Sequence, residues 1–292
     1  MNLPSWTQIL AGLGTLSVLY ILYKLYNHVF PKNPCVFTRE KAKTAYKQEV
    51  PVLCGVVFMS PFVIKVQTYL RMAGIEYKEH KTADMMSSPT GKVPFLLHRG
   101  QLICDSSEII EYLKIEYPSK TLEGDKELEG KKHMVTMIQR LLEDHFYWLL
   151  VFLLWATKEG ANWVTKKYFS EVPALIRPFL VPYIINDLRN TCVAVGVGRY
   201  TDEVREKKWR EDCIALNEVL GDKPFMLTHQ NPSSADVLAY SFLSSLLSNQ
   251  EVKTFDKLIN FLKKSTPQLV AYHDRIHATY FDKKVERVIV PI

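Results

Sequence analysis

Residues 50–113 change hydrophobic periodicity in a fixed order, and that order leaves few ways to fold them. Val50-Pro51-Val52-Leu53-Cys54-Gly55-Val56-Val57-Phe58 is a short apolar run of the kind that fills a strand buried on both faces. Ser60-Pro61 ends it. Serine is a good N-cap, and proline suits the first helical position, where a missing N–H costs nothing. Phe62, Val66, Tyr69 and Leu70 follow at helical spacing, and Gly74 can take the left-handed turn that closes a helix. Ile75-Glu76-Tyr77-Lys78 alternates apolar and polar, so a second strand is expected there. A polar stretch, 82–92, leads to Val93-Pro94. Phe95-Leu96-Leu97-His98 and Gln101-Leu102-Ile103-Cys104 then flank Arg99-Gly100, which reads as a tight hairpin. Asp105 begins another helix, with Glu108 three residues on in capping-box position and Ile109, Ile110 and Leu113 on one face. Short connections and right-handed crossovers prune the topologies open to this order.

Beyond residue 130 the pattern is helical. Met134, Met137, Ile138, Leu141 and Leu142 form a helix face. Residues 146–156 are continuously apolar, too short to cross a membrane, and read as a helix buried in an all-helical core. Pro173, Pro178 and Pro182 divide the next region into short pieces. Residues 204–220 form a helix with i,i+4 charge pairs such as Glu203–Lys207 and Lys207–Glu211. Further helices are expected over 233–247, 255–264 and 269–277. Asn231-Pro232-Ser233-Ser234-Ala235-Asp236 carries a second capping box, which is structural.

The N-terminus is different in kind. Residues 6–23 carry no charge, Trp6 stands at one end, and Tyr20, Tyr23 and Tyr26 stand at the other. Residues 6–26 match the roughly 20 residues needed to cross a ~30 Å hydrocarbon core with interfacial aromatic belts. A cleaved signal peptide would want a basic start and an Ala-x-Ala site, and neither is present. A retained anchor in a lipid membrane is therefore expected, with a cleaved signal peptide and a buried helix as the alternatives. Lys24, Lys32, Arg39, Lys41 and Lys43 follow it, opposed nearby by Glu40, which predicts that the rest of the chain stays in the cytosol.

With 292 residues, the chain can hold two domains. The boundaries expected are anchor 1–28, basic linker 29–49, α/β domain 50–117, connection 118–130, all-helical domain 131–280 and tail 281–292. A net charge of +6 is too diffuse for a nucleic-acid partner, and no nucleic-acid motif is present. Cys35, Cys54, Cys104, Cys192 and Cys213 lack Cys-x-x-Cys spacing, which argues against both a disulfide framework and a zinc site. The histidines form no metal cluster; Glu143-Asp144-His145 splays around one helix turn. Gly196-Val197-Gly198-Arg199 reads as a turn between helices and not as a nucleotide loop.

The strand–helix order, the Val93-Pro94 pair and Asp105-Ser106 resemble the thioredoxin-like N-terminal domain of glutathione transferases, and the second capping box resembles that of their helical domain. Ser60-Pro61-Phe62 resembles a Cys-Pro-Phe motif with serine in place of cysteine. Ser60 to Gly74, Glu143 to Trp148 and Gly196 to Tyr200 are similar to the failed-axon-connections family, a metaxin-related branch whose nematode members include cadmium-inducible lysosomal proteins. The fold implied is α+β: an N-terminal transmembrane helix, a thioredoxin-like α/β domain and an all-α glutathione-transferase-like C-terminal domain. Val93-Pro94 would be the family's cis-proline facing the cysteinyl part of glutathione. Asp105 and Ser106 would meet its γ-glutamyl end. Ser60 is either the catalytic hydroxyl that stabilises the glutathione thiolate or simply an N-cap. The resemblance implies glutathione as ligand or co-substrate, and a part in stress or cadmium response at a lysosomal membrane, with mitochondrial outer membrane or endoplasmic reticulum as alternatives. A non-catalytic membrane adaptor or trafficking component of metaxin type is the other reading, with a homodimer or a membrane protein as partner.

Overall fold

The computed structural model describes residues 40–41, 49–55, 60–82, 88–170, 172, 175–282 and 284–289. Its sheet holds β1 (Glu40–Lys41), β2 (Val52–Gly55), β3 (Lys78–Lys81), β4 (Phe95–His98) and β5 (Gln101–Cys104), in the order β1-β5-β4-β2-β3. β2 and β3 are parallel, joined by α1 (Pro61–Met72); β4 lies between β2 and β5 and is antiparallel to both. This is the thioredoxin-like arrangement. Side chains alternate as a pleat requires. Leu53, Leu96 and Ile103 turn toward Val66, Tyr69 and Leu70 of α1 and toward Ile109 and Leu113 of α2 (Ser106–Glu116). Val52, Cys54, Phe95, Leu97 and Leu102 form the opposite face.

The hairpin forms as expected: Arg99 and Gly100 have φ of 47° and 71°, the left-handed pair that a two-residue turn needs. Arg99 then pairs with Glu49 at 2.7 Å and Glu116 at 2.8 Å. The second strand differs from expectation. It runs over Lys78–Lys81 rather than 75–78, while Ile75 and Tyr77 are buried on the way in. Two backbone partners select these residues. β2 pairs along one side, and on the other Glu79 N–H donates to Glu286 O and Val288 N–H to Glu79 O, both at 2.9 Å. The C-terminal tail thus covers an edge that would otherwise invite pairing.

The chain continues through a short helix α3 (Glu123–Glu127), α4 (Lys132–Arg140), a π-helical turn (Leu141–Phe146), α5 (Tyr147–Val151), a second π turn (Phe152–Ala156), α6 (Lys158–Tyr168), α7 (Arg177–Ala194), α8 (Asp202–Leu220), α9 (Ser234–Leu247), α10 (Asp256–Ser265) and α11 (Pro267–Tyr280). α9 is buried from Ala235 to Leu247, as befits a helix apolar on every side. Residues 146–156 are helical, broken by the π turns, with Phe146, Leu149, Leu150, Val151 and Leu154 buried and the others half-buried. Phe62 of α1 sits edge-on to Tyr147 at 4.9 Å and to Phe242 at 5.9 Å, and so closes the seam between sheet and helices.

One part of the expected fold class is corrected. Among the described residues no helix is long and apolar enough to cross a membrane. The longest ones carry Arg177, Asp187 and Arg189 in α7 and a dense charge pattern in α8. The expected span, 6–26, and Cys35 lie outside the described residues. What the structure supports is the thioredoxin-like domain with its helical partner.

Candidate functional site

The sheet register brings the site residues together. Cys54 pairs with Phe95, and Phe95 with Cys104. One residue further, Gly55, Pro94 and Asp105 occupy the same rim of three adjacent strands. Here β2 and β5 end, which is where open α/β sheets leave room for ligands. Gly55 is required by a close approach: at φ 158°, a Cβ there would meet Val63 Cγ2 at 2.8 Å and Val93 Cβ at 3.5 Å. The end of β2, the first turn of α1 and Val93 are therefore in contact, and Ser60 begins that first turn.

Ser60 is half-buried, with extended φ and ψ, and its Oγ accepts from Val63 N at 3.4 Å. That leaves the hydroxyl hydrogen for an acceptor outside the helix. The Val93–Pro94 peptide is cis, as expected. Pro94 is buried, and Val93 lies just outside the β4 ladder. Asp105 has φ 69°, uncommon for a residue with a side chain, and its Oδ1 accepts from Ser107 N at 2.8 Å and Glu108 N at 3.4 Å. Ser106 is buried behind it. The rim thus joins two helix N-termini, each with the positive end of its dipole outward, which suits a thiolate at one and a carboxylate at the other. The nearby thiols of the chain itself are not nucleophiles: Cys54 and Cys104 are buried, and burial pushes the Cys54 thiol up to about 12.

Sequence reasoning missed what stands behind Asp105-Ser106. Lys65, 4% exposed, donates from Nζ to Glu143 Oε1 at 2.6 Å and to Ser107 Oγ at 2.8 Å. Gln139 Nε2 donates to Glu143 Oε2 at 2.8 Å. A signal was present: Lys65 lies three residues from Phe62 and four from Tyr69, on the apolar face of α1, where a lone charge needs a partner. Asp144 is bound by Arg140 at 3.3 Å, and His145 Nδ1 lies 2.8 Å from Asp212 Oδ2, so Glu143-Asp144-His145 point three ways. Val197–Arg199 is a single 3-10 turn between α7 and α8. The capping box of α9 is present, and Asp125 reinforces it by accepting from Ser234 N at 2.6 Å and Ser234 Oγ at 2.7 Å.

Known proteins match this geometry. Residues 61–160 match the glutathione S-transferase N-terminal domain and residues 209–276 the glutathione S-transferase C-terminal domain. An isoprene-epoxide–glutathione S-transferase of Rhodococcus sp. strain AD45 is 32% identical over 236 residues, 77% of this chain and 94% of the relative. The chain belongs to the glutathione S-transferase family. Within that wider family it is homologous to failed axon connections of Drosophila melanogaster, 26% identical over 75% of this chain and 53% of that protein. Human metaxin-2 is 28% identical over 76% of this chain and 82% of its own length. The glutathione S-transferase fold is matched by the Ceriporiopsis subvermispora enzyme crystallised with glutathione, at a TM-score of 0.56 and 16% identity over 80% of this chain and 99% of that one.

Proposed function

We propose that this chain binds glutathione at the rim formed by Ser60, Val93-Pro94 and Asp105-Ser106, that the bound thiol loses its proton to solvent there, and that the thiolate sulfur joins an electrophilic carbon as that carbon's bond to a leaving group or a strained-ring oxygen breaks. One observation carries the reading: Gly55, Pro94 and Asp105 fall on one rung of the sheet, with the Ser60 helix start against it. The residues fit the tripeptide. The Ser106 N–H, which the Asp105 cap does not take, can donate to a carboxylate, and the Asp105 carboxylate can attract an ammonium. The backbone N–H and C=O of Val93, beside the cis peptide, suit the peptide's central residue. Ser60 O–H, at the positive end of α1, would donate to a thiolate and favour it over the thiol. Bound glutathione supplies the nucleophilic sulfur, and the chain orients and activates it. The family resemblance extends this to stress or cadmium response.

The similarity to metaxin-2 favours a second reading, a non-catalytic adaptor of metaxin type that uses the same fold for docking. Calorimetric titration of the full chain with glutathione, followed by turnover with a set of electrophiles, separates the two. Saturable binding with turnover supports the transferase. Binding without turnover favours the adaptor, and no binding at millimolar ligand removes the glutathione site.

A further inference from the structure

α7 lies between the two stretches matched to the family domains, and its first half departs from the usual rule for a helix of a globular protein. Residues 178–185, Pro-Phe-Leu-Val-Pro-Tyr-Ile-Ile, are apolar without interruption. A helix apolar on every side is normally buried. Here Val181 alone among them is buried, and Phe179 is 77% exposed. Ile176 and Tyr183 stand three and four residues from Phe179, on its face of the helix, and both are exposed. Leu175, just before the helix, is 85% exposed. An exposed apolar patch of this kind marks a contact with a protein or a membrane.

Two features select a lipid surface. The first is charge. Residues 160–186 carry Lys166, Lys167 and Arg177 against Glu171 alone, and Lys166 and Lys167 are exposed at the end of α6. Cations beside an apolar surface suit anionic lipid head groups. The second is the backbone that leads into α7. Away from water an unmatched carbonyl is costly. Phe169 O accepts from Val172 N at 3.2 Å, Ser170 O from Arg177 Nη2 at 2.6 Å, and Val172 O from Arg177 Nε at 3.1 Å. Arg177 thus turns back on the carbonyls that precede it, and Pro178, in the first turn of α7, has no N–H to leave bare. Backbone facing water needs no such matching.

We infer that the start of α7 seats in the head-group boundary of a membrane that contains anionic lipid, with Leu175, Ile176, Phe179 and Tyr183 against the acyl chains. α7 does not cross. Asn186, Asp187, Arg189 and Asn190 are exposed and polar, which keeps the second half of the helix in water. An interfacial helix sinks ~5–10 Å in this way. The contact uses no residue of the rim, so it does not rest on the glutathione reading.

The test uses the full chain with Cys35→Ser, so that an introduced cysteine can carry a nitrobenzoxadiazole label; Cys54, Cys104, Cys192 and Cys213 are buried. The readout is the blue shift of that label and its quenching by brominated acyl chains, in vesicles of phosphatidylcholine with phosphatidylserine. Attachment through residues 6–26 does not move this readout, because it is local. A label on Phe179→Cys should shift to the blue and be quenched. One on Glu218→Cys, exposed on α8, should do neither. Leu175→Glu should abolish both effects at position 179 while the melting temperature holds, because Leu175 is exposed. Lys166→Glu combined with Lys167→Glu should reduce them on these vesicles and leave them unchanged on phosphatidylcholine alone. The inference is overturned by an unquenched label at position 179, by equal quenching at position 218, or by quenching that survives Leu175→Glu. A blue shift at position 179 that appears without vesicles and rises with protein concentration would assign the face to a second copy of the chain instead. Quenching indifferent to phosphatidylserine and to the two lysines would overturn the anionic head-group class.

Discussion

Lys65 Nζ lies 2.6 Å from Glu143 Oε1, with the two side chains 5% and 11% exposed, and this ion pair joins α1 of the sheet domain to the π turn of the helical domain. Breaking one partner of a buried pair strands a charge and costs roughly 3–5 kcal/mol, whereas replacing both by apolar groups is often neutral. Glu143→Leu and Lys65→Met should each lower stability by about that much in urea unfolding. The double variant should recover most of the loss. Single variants within about 0.5 kcal/mol of the parent would show that the pair is not a structural lock.

Asp105→Ala should weaken glutathione binding by roughly tenfold in calorimetry, in line with the loss of a charge-assisted contact. Glu108→Ala should change it little, because Glu108 is exposed and only occupies the first turn. Equal losses in both variants would mean that the α2 N-terminus is merely capped and holds no ligand.

Ser60→Ala separates the two roles of that hydroxyl. The cap bond is long, at 3.4 Å, so the stability loss should stay at or below ~1 kcal/mol. Turnover at neutral pH should fall by 10²-fold or more, in the range by which a single positioned donor changes a rate. The pH at which bound glutathione ionises should rise. Full turnover in this variant would leave Ser60 as an N-cap and nothing else.

Stability should decline on mild acidification because of two histidines. His98 is fully buried, with Nε2 2.8 Å from Glu49 O and Nδ1 2.8 Å from the Tyr112 hydroxyl, which fixes the neutral ring as donor at Nε2 and acceptor at Nδ1. Burial holds both His98 and His273 below the ordinary value near 6.5. The unfolded chain therefore takes up protons first as pH falls through 6.5, and stability drops from there downward. The melting temperature should be lower at about pH 5.5 than at about pH 7.5. His98→Gln should start lower and show a shallower slope. An identical slope in His98→Gln and in His273→Gln would place the titration elsewhere.

The sequence by itself determined the features that close within a few residues. Ser60-Pro61, the Arg99-Gly100 hairpin, Asp105 as a cap and the Ser233–Asp236 box are contacts between near neighbours, so residue type and spacing suffice to write them. The family resemblance added the role proposed for the rim. Tertiary structure alone decided what lies far apart in the chain. The Lys65–Glu143 pair spans 78 residues, the Asp125 cap on α9 spans 109, and the tail meets β3 across 208. A strand's limits depend on its partners, which is why β3 settled on Lys78–Lys81 rather than on the alternating 75–78.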